Sequence, residues 1–176
     1  MVGSMKATDV IADGFGRIRE VVHEAVEDLP ALLLNTRTDP AANSITWLVW
    51  HLTRIQDDHV AAAADREQVW LTGGWADRFA LPLPAGATGY GHTAEEAGSV
   101  RVDSGELLLG YYDEVHEATL RFVRGLGAAD LDRVVDERWK PPVTLGVRLV
   151  SVLADDLQHA GQAAFVRGAL ERDSGS

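Results

Sequence analysis

The chain contains no cysteine among its 176 residues. Disulfide bonds, thiolate metal ligands and a cysteine nucleophile are therefore excluded together. Basic residues are also scarce, because 16 lysines and arginines stand against 27 aspartates and glutamates, which gives a formal net charge of -11. Since this charge repels polyanions, we expect neither a nucleic acid nor an anionic membrane as a partner.

Long apolar runs are missing as well. No stretch approaches the ~18 residues that a membrane-spanning helix requires, and the first residues, MVGSMKATDV, lack the basic and apolar regions of a secretory signal peptide. We therefore expect a cytoplasmic protein. The residues MVGS before Met5 resemble a cloning remnant. With 46% hydrophobic residues, the length suits a single domain over residues 1–176.

Apolar residues recur at steps of three and four in four stretches, which is the period of a helix. The predicted helices run from Thr8 to Asp28, from Asn43 or Ser44 to about Val69, from Asp103 to Leu126, and from near Thr144 to Gly168. Asn43 or Ser44 can cap the second helix, and the spacing of Asp103 and Glu106 is that of a capping box for the third. The predicted inner stripe of the first helix comprises Val10, Ile11, Ile18, Val21, Val22 and Val26.

Residues 71–102 separate the second and third predicted helices and are too long for a tight hairpin. A helix of ~22 residues is ~33 Å long, and this segment can span that length, so the two helices can run parallel. We therefore predict an all-α, four-helix bundle in up-down-down-up order with a long crossover between helices two and three. Two alternatives are a three-helix core with a β-hairpin in residues 79–102, and a domain-swapped dimer.

Titratable residues interrupt the apolar face of the fourth predicted helix. In LVSVLADDLQHAGQAAFVRG, residues 149–168, Asp155 and His159 are four positions apart, which places their Cβ atoms ~6 Å apart on one face. On the second predicted helix, His51 lies between Leu48 and Ile55 in the apolar stripe. Two helices thus direct a histidine towards the interior. The remaining histidines lack a second ligand at helical spacing and are expected mostly at the surface: His23, His59, His92 and His116.

Two interpretations of His51, Asp155 and His159 are open. Imidazole nitrogens and carboxylate oxygens are metal ligands that helical bundles use, and a set of three leaves coordination positions for water or substrate, as in catalytic sites. Alternatively, a buried histidine and aspartate simply hydrogen-bond each other. Arg148 lies seven residues before Asp155 on roughly the same face. It is a candidate for binding a cofactor or a substrate carboxylate, and a salt bridge is its alternative role.

Two segments carry a resemblance to a known family. NSITWLVWHLTRIQDDHV and TLGVRLVSVLADDLQHAGQAAFVRG resemble the DinB/YfiT-like superfamily, in particular its actinobacterial branch related to mycothiol-dependent maleylpyruvate isomerase and to bacillithiol or mycothiol S-transferases. The resemblance covers nearly the whole chain. It implies a four-helix up-down-down-up bundle that binds a divalent metal ion, often zinc or nickel, through one residue of the second helix and two residues of the fourth.

By this resemblance the metal ligands fall on His51, on His159 in the turn HAGQ, which is similar to the family's frequent HRGQ, and on Asp155. Many members have histidine in place of Asp155, and the maleylpyruvate isomerase branch has glutamate, whose reach is longer by one methylene. Asp156 is the second candidate for the carboxylate ligand.

The resemblance also implies a function and an assembly. We expect a metal-dependent S-transferase that activates a small thiol such as mycothiol towards an electrophile, and the thiol must come from outside a chain without cysteine. The alternative is a metal- or ligand-binding stress-response protein without catalysis, because no general acid or base stands out beyond the ligands. The resemblance and the apolar stripe of helix one favour a homodimer, although the sequence does not reveal its interface.

Overall fold

The computed structural model describes residues 5–174 of the chain, so the residues MVGS lie outside the described part. The elements in chain order are α1 (Ala7–Val26), α2 (Ala31–Leu34), α3 (Ile45–Ala63), α4 (Val69–Thr72), α5 (Trp75–Phe79), α6 (Ala94–Ser99), α7 (Gly105–Arg124), a 3₁₀ turn (Ala128–Asp132), β1 (Val134–Asp136), β2 (Val143–Thr144) and α8 (Leu145–Ser174). The chain is mostly helical, and the all-α prediction is confirmed. Within residues 5–174, no helix combines the length and the apolar composition that a membrane crossing needs.

The second predicted helix corresponds to α3 and is shorter than expected. It begins after Ser44, whose hydroxyl accepts a hydrogen bond from the Trp47 backbone N–H at 3.1 Å. It ends at Ala63 rather than near Val69, because Asp65 adopts a left-handed conformation with φ 51° and turns the chain away.

The third and fourth predicted helices correspond to α7 and α8. Ser104, not Asp103, occupies the N-cap position of α7, and its side chain makes no capping hydrogen bond. The predicted capping box is therefore wrong, although the helix starts within two residues of the expected place. At the other end of the chain, α8 continues past Gly168 to Ser174.

The four long helices pack in a ring, in which α1 and α3 each contact both α7 and α8. Contacts at both ends of each pair of neighbouring helices show whether the two helices run parallel or antiparallel. On α1 and α8, Gly14 lies against Leu153, and the Arg167 guanidinium reaches the backbone near the end of α1, so these helices run parallel.

Contacts on the other two faces show antiparallel pairs. Val26 near the end of α1 contacts Gly105 at the start of α7. His51 of α3 contacts His159 of α8, and the later residue His59 contacts the earlier residue Arg148. The helices α3 and α8 are therefore antiparallel. The up-down-down-up order stays a prediction with which these contacts agree.

The segment between α3 and α7 is helical and folded against the bundle. It contains α4, α5 and α6, and its side chains Trp70, Trp75 and Phe79 are buried in the core. The alternative with a β-hairpin in residues 79–102 is therefore wrong, since α6 forms there and the structure has no strand in that range. Burial of three large aromatic side chains explains why the segment lies on the bundle.

A short antiparallel β-hairpin precedes α8, and the sequence did not predict it. Val134 pairs with Thr144, and Asp136 pairs with Val143. Strands of three and two residues are too short to show an alternating pattern of apolar residues. The hairpin matters because it places Asp136 beside α8.

Most of the predicted α1 stripe is buried inside the chain, including Ile11, Ile18, Val22 and Val26. Val10 is the exception, since it is 57% exposed, and its assignment to the stripe is wrong. Because this stripe is used within the chain, it is not available as the surface of a homodimer.

A fully buried aspartate joins α3 to the segment that follows it. The Asp57 carboxylate accepts hydrogen bonds from the backbone N–H groups of Val69 and Trp70 at 2.9 and 2.7 Å, at the start of α4. It also accepts the Tyr111 hydroxyl at 3.0 Å and lies 3.8 Å from the Arg54 guanidinium. A buried carboxylate with this many partners fixes the position of α3 beside α4 and α7.

Candidate metal centre

Two of the candidate ligands lie on adjacent turns of α8. Asp155 and His159 share one face, and the His159 Nε2 atom lies 3.7 Å from the Asp155 Oδ1 atom. Their side chains are 36% and 19% exposed, respectively. The carboxylate and the imidazole therefore sit at the boundary between the bundle interior and solvent, where a small molecule can reach them.

The third candidate comes from α3. His51 is 5% exposed, and the centroid of its ring lies 4.8 Å from that of His159. Trp47, one turn earlier on α3, stacks on the His51 ring with a centroid distance of 4.6 Å. The stacking restricts the ring of His51 to one plane and turns one edge of it towards α8.

Hydrogen bonds determine which nitrogen of each imidazole is available. The Nδ1–H group of His51 donates to the Thr88 carbonyl at 2.5 Å, because a carbonyl oxygen only accepts. In the same way, His159 Nδ1 donates to the Gln162 side-chain oxygen at 3.0 Å. Each histidine therefore presents the lone pair of Nε2, which is the arrangement that such partners impose on metal-ligating histidines.

Burial supports the neutral form of His51. The loss of solvent lowers the pKa of its imidazole from the usual value, and this effect outweighs the opposing hydrogen bond to Thr88. An imidazole must be neutral to donate a lone pair to a metal ion. At neutral pH the ring is consequently in the state that binds a cation.

The chain brings all three predicted ligands together. One ligand atom from each of His51, Asp155 and His159 lies within 4.8 Å of the other two. One carboxylate oxygen of Asp155, Oδ2, is buried and has no hydrogen-bond partner among the described residues. Ligands at ~2.1 Å from a tetrahedral ion lie about 3.4 Å apart, so binding requires only a small inward movement of these side chains. The donor set and the unpartnered oxygen fit a divalent ion, and the group could hold one.

Comparison with known proteins identifies the family. The model of the DinB superfamily matches residues 15–163, which span both helices that carry the candidate ligands. The chain belongs to the DinB superfamily. No curated protein matches it significantly. Among solved structures, it is similar to the crystal structure of a conserved protein from Enterococcus faecalis, with 34% sequence identity and a TM-score of 0.88 over 93% of this chain and 96% of that one.

Within this DinB superfamily fold, Asp156 is not part of the ligand group. It is fully buried, and neither of its carboxylate oxygens has a hydrogen-bond partner among the described residues. Burial, reinforced by the nearby Asp155 charge, raises the pKa of Asp156 well above the usual value. The carboxylate of the group is therefore Asp155, whereas Asp156 lies in the core, where burial favours its protonated form.

Arg148 forms the salt bridge that was the alternative to its cofactor role. Its guanidinium lies 3.0 Å from the Asp136 carboxylate and donates to His59 Nδ1 at 3.3 Å. The Arg138 side chain and backbone N–H hold the pKa of Asp136 well below its usual range, so the bridge is charged. Binding of a cofactor by Arg148 stays a prediction, and a ligand there would have to share the guanidinium with Asp136.

The sequence did not reveal the loop that covers His51. Gly89 has a positive φ of 92°, and a Cβ atom built there would lie 2.5 Å from His51 Nδ1. The next turn brings His92 to the site, where its Nδ1 accepts the Trp47 indole N–H at 3.3 Å. His92 and His116 were both expected at the surface. His92 is half-buried, and His116 lies in the core with 5% of its surface exposed. Loop residues carry no periodic signal, so their approach to α3 had no sequence signature.

Proposed function

We propose that the chain binds one divalent metal ion, zinc or nickel, through His51, Asp155 and His159, and uses it to activate a small thiol of the mycothiol type for transfer to an electrophile. The observation that carries the proposal is that one ligand atom from each of His51, Asp155 and His159 lies within 4.8 Å of the other two, between α3 and α8. The Nδ1 atoms of both imidazoles are already hydrogen-bonded elsewhere, and Asp155 Oδ2 has no partner among the described residues. Family membership supports it, because the site lies within the matched residues.

The residues around the group have distinct roles in this proposal. The Thr88 carbonyl and the Gln162 side chain hold the two imidazoles with Nε2 inward. Asp155 supplies a negative charge that stabilises a bound cation, and its partial exposure leaves one side of the group open. A divalent ion with only three protein ligands accepts a further ligand and lowers the pKa of a coordinated thiol.

The thiol must come from outside, because the chain has no cysteine. A divalent ion held by these residues would supply both the activation and the orientation of that thiol at the same site. The mycothiol assignment rests on the resemblance of the two helical segments to mycothiol-using proteins. Glutathione has different polar ends and is expected to be a poorer co-substrate.

One observation favours the second candidate, a metal- or ligand-binding stress-response protein without catalysis. The phenols of Tyr111 and Tyr112, whose convergence on the group would favour an enzyme, are only 1% and 0% exposed. Burial raises the pKa of both hydroxyls well above the usual value, and the Tyr111 hydroxyl already donates to Asp57. An enzyme would therefore rely on the thiol itself and on the metal ligands.

A conjugation assay separates the two functions. Zinc- or nickel-loaded protein is incubated with mycothiol and monochlorobimane, and the fluorescent conjugate is followed against the thiol alone. The transferase proposal predicts a rate increase that disappears in His159→Ala and persists in the control His23→Ala, whose imidazole bonds Asp113 far from the group. Glutathione should give a smaller increase.

Equal rates with and without the protein, for mycothiol, bacillithiol and glutathione alike, would contradict the transferase. If such a protein still binds the metal stoichiometrically, the binding function is the better account. The assay therefore distinguishes a wrong chemistry from a wrong site.

A further inference from the structure

A second cavity lies outside the metal group, between α2, α5 and the start of α7. Its volume is about 300 Å³, and both Arg78 of α5 and Arg101, which precedes α7, line it. None of the three candidate metal ligands belongs to its wall. We call it the arginine cavity. Its volume is at the lower end of the range that small-molecule sites occupy, so it suits a small ligand.

The two arginines of the cavity have no carboxylate partner among residues 5–174. Carboxylates are abundant in the chain, since 27 acidic residues stand against 16 basic ones. Two other strongly exposed arginines do pair with one, Arg17 with Asp13 and Arg121 with Glu117. Two unpaired cations at one cavity therefore create a local positive potential in an otherwise acidic protein.

An aromatic platform holds the side chain of Arg78. Its guanidinium carbon lies over the Trp75 ring, 3.7 Å from the ring centroid. Trp75 is 5% exposed, and its indole N–H donates to the Glu114 carboxylate at 2.7 Å, so the platform itself is fixed. Because a stacked guanidinium keeps the N–H groups at its edge free, Arg78 is oriented and still able to bind an anion.

Buried hydrogen bonds fix the backbone that carries Arg101. The Asn35 side chain donates to the Val102 carbonyl at 2.7 Å and accepts the Val102 backbone N–H at 3.1 Å. Val102 lies between Arg101 and Asp103 in the sequence, so both neighbours are placed at the cavity wall. Asp103 makes no ion pair with either arginine. The wall therefore carries two positive charges and one negative charge.

Apolar side chains form the rest of the wall. Phe79 and Val102 are buried, whereas Leu32 of α2 is 75% exposed. An exposed leucine next to two cations would lose contact with water if the apolar part of a bound anion lay on it. The cavity thus combines a site for an anionic group with a surface for an apolar one.

We propose that the arginine cavity binds a small organic phosphate, with the phosphate group on Arg78 and Arg101 and an apolar body on Leu32. A carboxylate fits less well, because one guanidinium already engages both of its oxygens. A phosphate monoester has three acceptor oxygens and a charge of about -1.5 to -2 at pH 7, which matches two arginines. The proposal does not depend on the function of the metal group.

Titration of the whole chain with phenyl phosphate, followed by NMR, tests the proposal. Saturable shifts are expected at the backbone amides of Leu32 and Val102 and at the Nε–H group of Arg78, with a dissociation constant of about 1 mM or lower. Inorganic phosphate should bind more weakly because it lacks the apolar body. Benzoate should also bind more weakly, because it has fewer acceptor oxygens and a smaller charge.

Substitutions of the arginines are the decisive variants. Arg78→Gln and Arg101→Gln should each raise the dissociation constant about tenfold or more, since each removes charge-assisted hydrogen bonds to the phosphate. Arg17→Gln, which removes the same charge from an exposed arginine on α1, is the matched control and should leave binding unchanged. All three side chains are exposed, so the variants should fold normally. Asp103→Asn should strengthen binding, because it removes the negative charge from the wall.

A further pair of variants separates the two parts of the ligand. Leu32→Ala should weaken the binding of phenyl phosphate and leave that of inorganic phosphate unchanged. Leu71→Ala, at a leucine that is 53% exposed and does not line the cavity, should alter neither. Equal effects of the two substitutions on phenyl phosphate would contradict the placement of the apolar body.

The proposal is overturned if the wild type shows no saturable shift up to about 10 mM phenyl phosphate, or if Arg78→Gln and Arg17→Gln bind it equally well. Binding that disappears in His159→Ala would assign the phosphate to the metal group instead. Vesicles of phosphatidic acid present the same phosphate chemistry on a surface that repels a chain of net charge -11. Cosedimentation with them that Arg101→Gln abolishes would show a lipid site and overturn the small-molecule proposal.

Discussion

Replacing Gly89 by alanine should weaken metal binding although residue 89 is not a ligand. The loop carbonyl of Thr88 fixes His51 through a hydrogen bond to Nδ1, and Gly89 passes directly over that nitrogen. An alanine Cβ would lie 2.5 Å from His51 Nδ1 and 3.2 Å from Trp47 Cζ2. The first distance is too short for a carbon contact and the second is tight, so either the ring or the loop must move.

The size of the effect follows from two separate costs. An alanine with φ near +90° destabilises the backbone by about 1 to 2 kcal/mol, and this cost falls on the folded state as a whole. Displacement of the partner that orients a ligating histidine typically lowers metal affinity by about 10- to 100-fold. We therefore expect Gly89→Ala to show both effects.

Gly91→Ala is the matched control. Gly91 also has a positive φ, of 74°, but an added Cβ would meet no atom within 4 Å. It should lose a similar amount of stability in urea unfolding while retaining zinc affinity, measured by competition with a chromophoric chelator. If Gly89→Ala and Gly91→Ala bind zinc equally well, then the loop does not hold His51 for metal binding, and the reasoning is refuted.

Two further predictions concern stability. Burial lowers the pKa of His116 from 6.5 to about 4, so the unfolded chain binds more protons between these values and stability falls as the pH drops from 6.5 towards 4. After allowance for solvent screening, urea unfolding at pH 5 should show a loss of about 1 to 2 kcal/mol relative to pH 7.5, and this loss should be absent in His116→Phe. An equal loss in both proteins would contradict the assignment. Asp57→Ala should lower the free energy of unfolding by about 3 to 5 kcal/mol, because it leaves the buried Arg54 charge unpaired. The control Asp58→Ala, at a side chain that is 40% exposed, should lower it by about 1 kcal/mol or less. Similar losses at the two positions would show that the Asp57 contacts do not stabilise the fold.

The long helices were predictable because their apolar stripes are long enough to show a period. The same holds for the grouping of the candidate ligands, since Asp155 and His159 are one turn apart on α8 and His51 interrupts the stripe of α3. Periodicity also located most boundaries within a few residues, but α8 continues past the predicted end to Ser174, and α3 ends early at the left-handed residue Asp65. A local conformation of this kind leaves no repeat in the sequence.

The residues that orient the site could not be predicted in the same way. Thr88 reaches His51 from a loop 37 residues away, and Asp136 reaches Arg148 from a hairpin with strands of three and two residues. Both contacts depend on how irregular segments fold onto α3 and α8. Gln162 is the exception, because its position three residues after His159 on one helix made their contact foreseeable.

The metal content of the purified protein tests the central claim most directly. Protein prepared without a metal-affinity tag is assayed by elemental analysis, and then titrated with zinc, nickel and manganese. The account predicts one ion per chain for the wild type, and loss of most of it in His51→Ala and His159→Ala with the helical circular dichroism unchanged, while His23→Ala keeps the metal. Failure of the wild type to take up any of the three ions, or binding that survives both substitutions, would contradict it.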